Sequence, residues 1–229
     1  MCFSAEASFG TGTVIAIIGG ITLQKTSTPS QRIFASIPLF FAIQQAMEGI
    51  LWISLPSTDY LLWQRIATYG FLLFAWIVWP VLIPFSIWLL EKDAKRRRLL
   101  AIAMGMGTFV SLFFAYILIF HHAQASIEGY HIVYHQDFEY SKPFLWLTSA
   151  FYFIPTALSH FISSNKKVWL LGITILFSFI ITKIYFEDHL VSIWCFFAAL
   201  LSVLILWVIL DLRKSVLTEH KLVQLLLKT

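Results

Sequence analysis

Two cysteines, one carboxylate set within an apolar run and a small group of histidines are the residues of this chain best suited to chemistry. Cys2 follows the initiator methionine directly, and the only other cysteine is Cys195. Cysteine is small enough for aminopeptidase to remove Met1, which leaves a free α-amine beside a thiol. That pair forms a five-membered chelate for a soft metal, and the thiolate suits Zn, Cu(I) or Fe. The amine, with a pKa of about 8, is also a base or nucleophile. A disulfide between Cys2 and Cys195 is the alternative in an oxidising compartment. In FFAIQQAMEGILW, Gln44, Glu48 and Trp52 recur every four residues and share a helical face, with Gln45 beside them. In HLVSIWCFFAALLS, His189, Ser192, Cys195, Ala199 and Ser202 step by three or four, a polar stripe on an otherwise greasy helix. His131 and His135 are spaced i, i+4, which on a helix can bind a metal. A loop rich in His and Tyr is equally an interfacial belt. Cys2, Glu48, Cys195 and one histidine, His131 first, make a four-coordinate set for a divalent transition metal. His121, His122 and His189 are substitutes, and adjacent His121 and His122 cannot both face one ion.

The elements that must position these groups are membrane helices. Hydrophobic residues make up 59% of the 229, charged residues only 12%, and mean hydropathy is +0.80. That balance excludes an ordinary soluble domain. The net charge of +4 sits in short loops, which argues for topology and against nucleic acid. Two cysteines exclude a disulfide framework. A helix needs about 20 apolar residues to cross the hydrocarbon core. Seven segments qualify, roughly 7–24, 33–55, 61–90, 99–120, 144–163, 167–186 and 189–210. Trp79-Pro80 and Pro84 predict a kink in the third. Ser8, Gly12, Ala16 and Gly20 predict a close-packing stripe on the first. The fold class is thus all-α, with a seven-helix transmembrane domain over 1–210 and an amphipathic tail over 211–229 lying on the membrane surface. Thirteen of the 16 Lys and Arg residues fall on one side, including Lys25, Arg32, Lys92, the run Lys95 to Arg98, Lys166 and Lys167. The positive-inside rule makes that side cytoplasmic, so the N-terminus is outside, the C-terminus inside, and the bilayer is a plasma or inner membrane. The start lacks the basic n-region of a cleavable signal peptide.

At ~1.5 Å per residue, Glu48 lies in the outer third of its span. Arg65, His121, His122, Lys183, Glu187 and Cys195 fall in the same outer layer. The inner halves carry no charge, and His160 is their one ionisable exception, read as a snorkelling or capping residue. A transport pathway needs polar groups along its full depth. The pattern describes a blind pocket that opens outward or sideways to lipid. Glu48 paired with Arg65 as a structural ion pair is the competing reading. Lys183 with Glu187 reads as structural.

The opening MCFSAEASF, QQAMEGILW in the second span and SIWCFFAALLS in the seventh together resemble a family of small seven-helix membrane proteins. Its members open Met-Cys-(Phe or Trp)-Ser-Ala and carry Gln-x-x-Glu-x-x-x-Trp. The resemblance implies that Cys2, Ser4, Gln45, Glu48, Trp52 and Cys195 are motif positions, with His131 and Tyr134 matching a His-x-x-Tyr element. A weaker, architectural likeness is to metal-dependent membrane hydrolases of the alkaline ceramidase type, which implies a metal pocket within the membrane. Three functions are therefore expected in this order. The first is a metal-binding membrane protein, an enzyme if the metal activates water for a lipid-like substrate. The second is a receptor-like sensor without turnover, and the third a small-solute transporter. Ser4, Gln44, Gln45, Trp52, Arg65, Tyr134, Lys183 and Ser192 are the supporting residues.

Overall fold

The computed structural model describes residues 4–129, 131–139, 141–185 and 197–226. Helix α1 (Ala5–Gln24) starts where the Ser4 hydroxyl accepts a hydrogen bond from the Ala7 N–H at 3.2 Å. That is an N-cap, and it gives Ser4 a structural role. Helix α2 (Pro29–Ser54) begins on a proline, whose missing N–H costs nothing in a first turn. It runs back antiparallel along α1. After a 3-10 turn (Thr58–Tyr60), α3 (Leu61–Leu72) passes through a π-helical segment (Leu73–Val78) into α4 (Trp79–Leu90). Helix α5 (Ala94–Phe120) is capped by Asp93, whose carboxylate accepts from the Arg96 N–H at 2.9 Å. Strands β1 (Ala123–Glu128) and β2 (His131–Gln136) follow as an antiparallel hairpin. Helix α6 (Lys142–Thr156) then breaks at Pro155 into a 3-10 turn (Leu158–Ile162), ahead of α7 (Lys166–Tyr185) and α8 (Ala198–Leu226).

Taken together, α3 to α4 form one rod, so the described residues contain seven helical rods. Four segments, Ala5–Gln24, Pro29–Ser54, Thr58–Leu90 and Ala94–Phe120, are long and apolar enough to cross a membrane. The expected kink at Trp79-Pro80 is the π-helical segment. Trp79 N–H bonds back to the Phe74 carbonyl, five residues away, which releases the carbonyl of Ala75. Neighbouring helices serve the opened backbone, as apolar surroundings require. The Tyr152 hydroxyl donates to Ala75 O at 2.6 Å, and the Ser111 hydroxyl donates to Ile77 O at 2.8 Å. At the same level α5 presses against α4. A Cβ built on Gly107 would fall inside the contact distance of the Pro80 carbonyl.

Two expectations need correction. The segment after α5 is a β-hairpin, so the described chain is helical with one two-stranded ribbon. Helix α8 runs without a break from Ala198 to Leu226, through the expected tail boundary at 210. The close-packing stripe on α1 runs Ser8, Gly12, Ile15, Gly19 and Thr22, all buried, while Gly20 meets nothing within 4 Å. A strict four-residue step drifts around a 3.6-residue helix, and alternating steps of four and three hold one face.

The rods define two ends. At the basic end, Lys167 forms an ion pair with Asp211 and Arg96 reaches the turn before α7. At the other end the hairpin lies over α2 and α3. Ile132 packs with Leu51 and Ala67, and the Tyr134 ring stacks on Phe71 at 4.6 Å.

Candidate functional site

Polar side chains concentrate beneath the hairpin. Glu48 is 0% exposed, and Gln44 and Gln45 are buried beside it on α2. A carboxylate in the middle of a helix finds every nearby backbone N–H already engaged, so only side chains, water or a cation can serve it. Helix α1 closes one side of this layer. Gly12 sits against Gln45, and the Phe9 ring fills the space over Gly49. In the antiparallel pair this puts Ser8 at the level of Glu48 and Gly49. Ser8 is fully buried.

The hairpin closes the top. Residues alternate between its faces. Ile132, Tyr134 and Gln136 share one face with Ala123 and Ala125, and that face packs on the bundle. Ile132 and Tyr134 share an apolar cluster with Met47, Leu51 and Trp52, so β2 rests on the stretch of α2 that flanks Glu48. His131 lies on the ribbon's other face, yet its Nδ1 is buried. His135 points outward and bonds Ser126 at 2.9 Å and Glu128 at 3.0 Å. On a strand, residues four apart stand about 13 Å apart. The helical chelate expected of His131 and His135 therefore does not form. The hairpin turns at Gly129, whose φ of +62° a residue with a Cβ rarely adopts.

Hydrogen-bonding capacity is left over in this layer. Ser8 Oγ and Trp52 Nε1 are buried and have no hydrogen-bond partner among the described residues. Buried polar groups are rarely left so. The layer thus offers a carboxylate, an amide, a hydroxyl and an indole N–H beneath a lid of apolar and aromatic side chains.

Residues 1–219 match the model of a family of unknown function, DUF6629. The chain belongs to that family. No curated protein and no solved structure matches it, and the likeness to alkaline-ceramidase-type hydrolases finds no support. The DUF6629 match covers both Cys2 and Cys195.

Several predicted site residues of this DUF6629 chain have other duties or other places. Gln44 accepts a hydrogen bond from Trp79 Nε1 at 3.0 Å and ties α2 to α4. Arg65 is exposed, and among the described residues no ion pair joins it to Glu48. It lines a separate cleft of about 460 Å³ with Tyr69, Phe120, His121 and His122. His160 is buried near the basic end and bonds the Ala157 carbonyl through Nδ1 at 3.1 Å, a capping role. Cys2, Glu187, His189, Ser192 and Cys195, and the side chain of Lys183, lie outside the described residues. Among the described residues, no three His, Cys, Asp or Glu side chains cluster as a metal would require. Sequence reasoning missed Ser8 as a site residue, counting it only as packing. Its serine, rather than the glycine or alanine found elsewhere on the stripe, was the available signal.

Proposed function

We propose that this chain is a seven-span membrane protein of a plasma or inner membrane, hairpin end outward, that binds a divalent transition metal in its outer layer. Glu48 supplies a carboxylate oxygen, and Cys2, Cys195 and His131 complete the donor set. A lipid-like molecule reaches the site laterally from the bilayer. The observation that carries this reading is the complete burial of Glu48 at mid-helix. An ion buried without a partner costs several kcal/mol, so such a residue persists where a cation or a donor set answers it. The unfilled Trp52 N–H and Ser8 hydroxyl beside it support a ligand-holding layer. Nearer the basic end, the buried hydroxyls of Ser86 and Ser202 bond carbonyls of their own helices. That pattern supports a blind site over a continuous pathway. A bound metal supplies Lewis acidity. Glu48 then acts as ligand or as general base, Trp52 donates to a substrate oxygen, and the hairpin excludes water.

A second reading, a sensor without turnover, is favoured by the π-helical segment. Such segments recur at functional sites. This one joins the helix beneath the hairpin to the helix that ends among the basic loops. Metal analysis of freshly purified full-length chain, prepared without chelator, tests the leading reading. Stoichiometric metal is expected in the wild type and its loss in Cys2→Ala and Glu48→Ala. Wild-type protein without metal overturns it, and bound metal without lipid turnover favours the sensor.

A further inference from the structure

The basic end holds a cleft that the metal site does not use. It measures about 460 Å³ and is lined by Arg96, Ser163, Ser164, Lys166, Trp169, Leu170 and Ile173. Its polar rim is built rather than merely populated. Arg96 Nη1 donates to the carbonyls of Ile162 and Ser163, both at 2.8 Å, which fixes the guanidinium across the mouth. Its Nη2 and Nε protons stay available among the described residues. Trp169 Nε1 donates to the same Ser163 carbonyl at 2.7 Å and sets the indole as the next wall. Lys166 is exposed and makes no ion pair among the described residues.

The carboxylates close by are already committed. Glu91 accepts from the N–H groups of Lys92, Asp93 and Ser164, Asp93 caps α5, and Asp211 pairs with Lys167. Cations outnumber them along this stretch, since Lys95, Arg97 and Arg98 neighbour Arg96 in the first turns of α5. Below the rim the character changes within one turn. Trp169, Leu170 and Ile173 are exposed apolar side chains on α7, continuous with the flank that faces away from the bundle. A ligand that satisfies both zones carries an anionic head and a hydrocarbon tail.

We infer that this cleft binds an anionic phospholipid, its phosphate between Arg96 and Lys166 and its acyl chain along Trp169, Leu170 and Ile173. A soluble anion uses only the rim and leaves the apolar wall unserved. Basic pockets between membrane helices hold anionic headgroups by this division of labour. The site is independent of the metal site at the hairpin end.

Native mass spectrometry of the delipidated full-length chain tests the inference, with phosphatidylglycerol, phosphatidylcholine and inorganic phosphate as probes. Retention of phosphatidylglycerol over phosphatidylcholine is expected. Lys166→Gln, which removes a side chain with no structural bond, lowers that retention about fivefold, the worth of one cation near a lipid surface. Arg96→Gln lowers it further, and Lys92→Gln, outside the cleft, leaves it unchanged. Equal retention of both lipids, or unchanged retention in Lys166→Gln, overturns the proposal. Displacement of the lipid by millimolar inorganic phosphate also overturns it, because it marks a free-anion site.

Discussion

Two buried glutamates sit at opposite ends of this molecule, and they are held in opposite ways. Glu91, 3% exposed, follows the last turn of α4. There the chain is free to turn its N–H groups inward, and Glu91 accepts from Lys92 at 2.9 Å, Asp93 at 3.0 Å and Ser164 at 2.6 Å. Burial alone raises such a carboxyl, and these backbone donors overcome it and hold the group below the ordinary carboxylate range. Glu48, 0% exposed, sits within α2, where the helix has spent its own N–H groups. The first glutamate is a closed structural knot that joins two loops. The second depends on what other segments or ligands bring to it. Burial of a carboxylate is therefore no guide to its role until the origin of its donors is known.

The seam between the two ends offers the sharpest way to break this contrast. Gly107→Ala drives a methyl group into the Pro80 carbonyl, and backbone cannot yield as a side chain can. A loss of about 3 kcal/mol or more is expected, read as a collapsed thermal transition in detergent. If the variant unfolds at the wild-type temperature, α4 and α5 are not in register here, and the ends are less rigidly coupled than described.

Glu91→Gln comes next. It weakens three charge-assisted bonds and leaves one amide oxygen where two carboxylate oxygens accepted, for an expected loss of about 2 kcal/mol. Its signature is in pH. A carboxyl lowered in the folded state binds fewer protons there than when unfolded, so its stabilisation is present above the unfolded value. It is lost as pH falls through the lowered folded value. Acid melting curves of wild type and Glu91→Gln should converge in that window. Parallel curves sink the assignment.

Tyr152→Phe is the smallest of the three. It removes the hydroxyl that serves the Ala75 carbonyl and is expected to cost about 1 kcal/mol. Ser111→Ala probes the neighbouring carbonyl in the same way. An unaltered melting temperature in both would mean that water supplies the π-helical segment.

Much of the frame was legible in the residues because lipid demands long apolar runs. Helix α1, α2, the rod from α3 to α4, and α5 lie within a few residues of the expected 7–24, 33–55, 61–90 and 99–120. Pro80 and Pro84 marked the place where the third rod changes pitch, though not that the change is π-helical. The hairpin was not legible. Its strands are short, its polar and apolar residues alternate over only six positions, and the i, i+4 histidines mimic a helix. Gly129 was the available clue, a residue with positive φ between two alternating runs. At the candidate site, Glu48 and Gln45 were legible from burial cost and spacing. Gln44 and Arg65 were not, because shared helical faces do not say which neighbour each residue meets. Trp79 claims Gln44, and Arg65 turns to another cleft.

The unbroken last helix has a mechanical consequence. Its 29 residues extend about 43 Å, against ~30 Å of hydrocarbon. Lys167 grips it at Asp211, roughly midway, and also lies over the Trp207 ring at 4.4 Å. A rod held at its middle is a lever with a fulcrum. A ten-degree tilt about Asp211 would sweep its far tip by roughly 4 Å, the reach of an arm some 22 Å long. The same tilt carries the opposite arm, which begins at Ala198, the other way.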